Sequence, residues 1–194
     1  MILIPKFNSS GVIPPIRPGE LGHSNDRSPY VVDIIEIISH FATSNKRISI
    51  LKGFLEYRYE IYQQHVTRGF QWIDGSFCQN VEMIENRDPN DMDVVTFFYL
   101  PEFPNNEITS EFIQEFSKLI DTKYTKPLFQ VDAYGMQLGS EFVDYTAKML
   151  SYWYSMWSHR KSDNMWKGFL QVPLSPNEDS AAFFLLTEIE KELV

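Results

Sequence analysis

Trp72-Ile73-Asp74-Gly75-Ser76-Phe77, followed by Asn90-Asp91-Met92-Asp93-Val94-Val95, is the stretch on which the fold turns. Phe70–Asp74 is aromatic and β-branched and ends on a Gly-Ser turn, so it reads as a strand. Met92–Leu100 reads as a second strand, apolar enough to be buried on both faces. Fourteen residues (77 to 90) separate Ser76 from Asp91, enough for a short helix or loop that returns the chain to the next strand. Side chains two apart on a strand share a face, so Asp91 and Asp93 point the same way.

Two carboxylates on one face repel unless a cation lies between them, and hard divalent ions such as Mg²⁺ favour oxygen ligands together with water and substrate phosphates. The Gly75-Ser76 turn allows close backbone approach, and its N–H groups with the serine hydroxyl suit phosphate oxygens. Pro127–Tyr134 reads as a third strand that carries a lone acid, Asp132, among apolar neighbours. An acid there is costly unless ionised beside a metal or another cation.

Working outward, residues 1–29 hold five prolines and three glycines and read as an extended arm that wraps the domain or joins a partner. Residues 30–194 read as one domain. Ser28-Pro29 is expected to open a helix running to Phe41, and Ile48–His65 a second one. A helix capped by Thr109 or Ser110 is expected to reach Asp121 after a break over residues 101–106. A long helix over Ser140–Arg160 carries Phe142, Leu150, Trp153 and Trp157, Trp166–Leu174 reads as a fourth strand, and Pro176–Leu193 as a closing helix. Strands interleaved with helices predict an α/β fold, a mixed β-sheet packed by helices.

The chain of 194 residues has a net charge of −9, which disfavours general nucleic-acid binding and suits a basic protein partner. The single cysteine, Cys78, excludes an intramolecular disulfide or a cysteine-based zinc site and fits a reducing compartment. Residues 1–4 are apolar, but Pro5 and Lys6 end that run, and no apolar stretch approaches the roughly 20 residues that span a bilayer. The expectation is a soluble, cytoplasmic protein that makes no use of a membrane.

The Gly-Ser turn, the Asp-hydrophobic-Asp pair and the later single Asp together resemble the active-site pattern of polymerase-beta-like nucleotidyltransferases. Gly69-Phe70-Gln71-Trp72-Ile73-Asp74-Gly75-Ser76-Phe77 with Arg87-Asp88-Pro89-Asn90-Asp91-Met92-Asp93-Val94-Val95 is similar to a small bacterial branch of that superfamily. The resemblance runs through residues 47–134, and Trp166-Lys167-Gly168-Phe169 fits the same branch pattern. It implies a minimal nucleotidyltransferase fold with Mg²⁺ or Mn²⁺ held by Asp91, Asp93 and Asp132. Asp132 would also help deprotonate the acceptor hydroxyl, while Gly75 and Ser76 receive a nucleoside triphosphate such as ATP. The implied reaction transfers a nucleoside monophosphate to a hydroxyl of a protein, RNA or small molecule, with pyrophosphate leaving. The other reading of the same fold is a binding or regulatory partner, for example in a toxin–antitoxin or defence pair.

The sequence departs from that pattern at Asp74, where a hydrophobic residue usually precedes the glycine, and no Lys or Arg closely follows Ser76. Lys167, with His159, Arg160 and Lys161, reads either as a cationic wall for the triphosphate or as cations favoured near a helix C-terminus. Lys126 reads as a solvated loop residue. Tyr134 shares a face with Asp132 but is expected to serve core packing.

Overall fold

A computed structural model describes residues 4–103, 107–139, 141 and 143–193. The expectations for residues 1–3, for the end of the break at 104–106, and for Ser140 and Phe142 lie outside the described residues. Among them the chain is mixed α/β, with five strands in one sheet and seven helices. In order these are β1 (Tyr30–Val31), α1 (Ile34–Phe41), α2 (Asn45–Gln63), β2 (Gly69–Asp74), a single 3-10 turn (Ser76–Cys78), α3 (Val81–Ile84) and β3 (Met92–Phe98). There follow α4 (Ser110–Leu119), α5 (Thr122–Phe129), β4 (Val131–Gln137), α6 (Val143–Trp157), β5 (Leu170–Pro173) and α7 (Pro176–Leu193). The sheet order is β1-β5-β2-β3-β4. β1–β5 and β3–β4 pair in parallel, whereas β2 is antiparallel to both of its neighbours.

Strand alternation divides the core in two. Ile73, Met92, Val94, Phe98, Val131, Ala133, Leu170 and Val172 face a layer built from α1, α2, α4 and α7. Trp72, Val95, Phe97 and Met136 face the other way, against Trp153 and Trp157 of α6. β3 lies between β2 and β4 and is buried on both sides, as its β-branched and aromatic run predicts.

Three boundaries differ from the sequence expectation. The segment after Ser28 does not open a helix: Tyr30 and Val31 form an edge strand against Leu170 and Gln171, and α1 starts only where the Asp33 side chain accepts the Glu36 N–H at 2.7 Å. Pro127 begins no strand either. It lies inside α5, which is capped by Asp121 and ended by Gln130 in the left-handed region at φ 55°. An eight-residue helix is too short for periodicity to separate it from an apolar strand. Trp166–Phe169 precedes β5 rather than belonging to it, because this stretch packs on the N-terminal arm: the Gly168 N–H donates to the Ile13 carbonyl at 2.7 Å.

That arm is irregular, and it lies close against the domain. Ile4, Val12 and Ile13 are fully buried, the Asn80 N–H donates to the Gly11 carbonyl at 2.8 Å, and the Arg160 guanidinium donates to the Ser10 carbonyl at 2.7 Å. No helix among the described residues is long and apolar enough to cross a membrane.

A buried ion pair sits in the helical layer. Arg58 of α2 is fully buried and donates to Asp179 of α7 at 2.5 and 2.8 Å, to Gln71 of β2 at 2.7 Å and to the Pro173 carbonyl at 2.8 Å. These four hydrogen bonds join α2, α7 and two strands. Arg58→Met strands the Asp179 carboxylate in the interior and is expected to cost about 3–5 kcal/mol in denaturant unfolding. Adding Asp179→Leu should restore much of that loss.

Candidate functional site

β2, β3 and β4 carry three aspartates in one transverse row. Asp74 pairs in register with Asp93, and Asp93 with Asp132. Cross-strand partners share a face, so all three carboxylates lie on the α6 side of the sheet, roughly one strand spacing of about 5 Å apart. Asp91, just before β3, adds a fourth. Asp91, Asp93 and Asp132 thus lie on one face of the sheet, and Asp74 joins them.

The Gly75-Ser76 turn leads directly out of this row. Gly75 has φ 83°, and a Cβ there would sit 1.8 Å from Asp93 Oδ2, so only glycine lets the turn approach the carboxylate. Ser76 begins the 3-10 turn beside it. Arg47, at the start of α2, holds the loop from behind, donating to the carbonyls of Phe77 at 2.8 Å and Gln79 at 2.7 Å while paired with Glu82 at 2.5 Å. The Gln79 amide in turn donates to the Gly75 carbonyl at 3.2 Å. Cys78 is fully buried and faces the Ile73 carbonyl at 3.6 Å, and burial pushes its thiol up, away from reactivity.

Cations flank the row at both ends. Lys167, 2% exposed, forms a buried ion pair with Asp74 and donates to the Trp157 carbonyl at 2.9 Å. Its ammonium is therefore held under the turn and is not a free wall for phosphate, which explains how an acid is tolerated ahead of Gly75. Burial pushes the Asp74 carboxyl up against the opposing pull of Lys167. At the other end Lys126, read from sequence as a solvated loop residue, reaches Asp91 at 2.6 Å and Asp132 at 3.3 Å. Arg160 pairs with Asp163 at 2.5 Å and secures the arm.

Among the described residues Asp93, in the middle, has no ion pair of its own. Burial, then the charges of Asp74, Asp91 and Asp132, push its carboxyl up to about 7, and the pull of Lys126 is the smallest influence. Tyr134, whose ring packs at a tilt on Trp153 with centres 4.8 Å apart, is pushed up to about 12 by burial and by Asp132. Among the described residues, Asp132 Oδ1 is buried and accepts no hydrogen bond of good geometry, with the Tyr134 hydroxyl close to the same carboxylate.

As the side chains stand, no three His, Cys, Asp or Glu groups among the described residues gather tightly enough to hold a metal ion. The donor set nevertheless fits a hard divalent cation: it is all oxygen, carboxylates stand in register on one face, and burial with the neighbouring negative charges pushes the central one up. Asp91, Asp93 and Asp132 are the residues that would hold it. Sequence reasoning missed Lys126 and the Lys167–Asp74 partnership. The only signal for the latter was the unusual acid before Gly75.

Two outcomes follow from these charges. Lys167→Met leaves Asp74 buried without a partner and should lower stability by about 3–5 kcal/mol, whereas Lys167→Met with Asp74→Leu should regain most of it. For Asp93 the raised acid favours the folded chain in its protonated form. That contribution is complete below about pH 4 and lost as pH rises through about 7. In chelator-treated buffer Asp93→Asn should therefore raise Tm by on the order of 5 °C at pH 8 and by little at pH 4. Thermal unfolding at the two pH values checks this.

No curated protein and no solved structure matches the chain. Residues 5–173 match one family model, spanning the arm, the Gly75-Ser76 turn, all four aspartates, Lys126 and Lys167. The chain belongs to the family of unknown function DUF6932.

Proposed function

We propose that this chain is a metal-dependent nucleotidyltransferase of the polymerase-beta-like type, with the corresponding minimal fold. The observation that carries the reading is the pairing of Asp93 with Asp132 across β3–β4, with Gly75 pressed against Asp93. Paired carboxylates beside a glycine turn suit a phosphate group bridged to protein through divalent ions.

In this reading Asp91, Asp93 and Asp132 hold Mg²⁺ or Mn²⁺, and Gly75 and Ser76 receive the triphosphate. When bound, the ions stabilise the attacking and leaving oxygens of an in-line displacement. The acceptor hydroxyl gives up its proton to Asp132. Its oxygen bonds to the α-phosphorus, and the bond from that phosphorus to pyrophosphate breaks. Lys167 acts at one remove: by neutralising Asp74 it keeps a negative charge from facing the phosphates and fixes the end of β2. Lys167 is thus a positioning residue, not a nucleotide contact.

Incubating the chain with labelled ATP or another triphosphate, Mg²⁺ or Mn²⁺ and cell extract should transfer label to an acceptor and release pyrophosphate. Asp93→Ala and Asp132→Ala should each cut that release at least about 100-fold. Turnover equal to wild type in either variant refutes the assignment.

A second reading, a nucleotidyltransferase-fold binding partner, is favoured by a separate surface. A groove of about 490 Å³ between α2 and α7 exposes Tyr59, Phe183 and Phe184 on the helical side of the sheet, away from the aspartates. Exposed aromatic clusters of this kind are uncommon on monomers. A tight stoichiometric partner that masks Phe184, with no pyrophosphate release by the complex, would favour it.

A further inference from the structure

The end of α5 is fixed in place by several contacts, and it delivers a side chain that lies half in solvent while bridging two carboxylates. Gly53 of α2 lets the Phe129 carbonyl come so close that a Cβ there would lie 2.0 Å from that oxygen. Gln130 is held by Lys46 at 2.6 Å and by the Ser49 hydroxyl at 2.8 Å, and the Thr125 hydroxyl donates to the Val131 carbonyl at 2.8 Å. The backbone of Lys126 therefore has one position relative to β4. Its side chain is 49% exposed, whereas the carboxylates it bridges are only 14% and 17% exposed.

A half-exposed ammonium on a four-carbon stem exchanges partners readily, because water and salt weaken its pairs. It also fills the gap between Asp91 and Asp132 that a divalent ion held by both would need. An ion of that kind sits about 2.1 Å from its oxygens and repels a neighbouring ammonium strongly within a few ångströms.

We propose that Lys126 is a tethered cation that closes the carboxylate site at rest and must swing out before a divalent ion can enter. This rests on the reading of Asp91, Asp93 and Asp132 as metal ligands. Its consequence is a threshold. Free metal binds weakly because it competes with a resident charge, and a triphosphate arriving with its metal offers the displaced ammonium a new partner in its phosphate oxygens. Lys126 is thus a gate on metal entry, distinct from the ligands themselves.

The test is Mn²⁺ binding to the full chain without nucleotide, followed by calorimetry or by the spin signal of the free ion. Lys126→Met should tighten the Mn²⁺ dissociation constant about tenfold over wild type, and Lys126→Arg, which keeps the cation, should stay near wild type. In chelator the methionine variant should also melt earlier, since it leaves the carboxylates unshielded. Mn²⁺ bound by wild type, lost in Asp93→Asn and bound no more tightly by Lys126→Met overturns the gate while leaving the metal site standing. Mn²⁺ bound by none of these proteins overturns the metal site and the gate with it.

Discussion

Like charges brought together on a rigid sheet are the constraint around which this molecule is arranged. Cross-strand pairing sets the separation of Asp74, Asp93 and Asp132, and side-chain motion cannot take them far apart. Coulomb repulsion at that spacing, in a partly dry setting, is worth kcal/mol rather than tenths. The fold answers it with cations of two kinds. Lys167 is interior, fixed and permanently committed to Asp74, whereas Lys126 is half in solvent and shared between two carboxylates. Asp93 pairs directly with neither, and burial with the neighbouring carboxylates pushes its carboxyl up to about 7.

The rest of the architecture holds the turn beside that row. Arg47 fastens the loop after Gly75 to α2, and the arm fastens both Asn80 and Gly168, the neighbour of Lys167. These contacts come from residues far apart in the chain, so the turn is held by the whole domain and not by its local sequence. Helix α6 covers the apolar part of the same face with Trp153 and Trp157 and leaves the charged end uncovered by that cluster.

Much of this was readable from residue order, and the reasons are local. Alternation on a strand put Asp91 and Asp93 on one side, the apolar run of Met92–Leu100 marked a buried strand that in fact ends at Phe98, and Pro176–Leu193 was long enough for its helix to be found with its ends in place. What escaped depends on distance or brevity. Asp74 and Lys167 lie 93 positions apart, and nothing in either neighbourhood announces the other. Lys126 looked solvated because its helix is eight residues long and contains a proline, so the turn at Gln130 that brings it back over Asp132 had no periodic signature. β1, at two residues, is shorter than any pattern can register.

That brevity has its own effect on how copies of the chain meet. An open sheet ends in rows of backbone donors and acceptors that can template another strand. Here one margin offers a ladder only two residues long, and the opposite margin, β4, carries a carboxylate at its second position and a glycine at its fifth. Neither margin of the described sheet thus joins length to an unbroken uncharged run, the combination that favours edge-to-edge pairing between molecules.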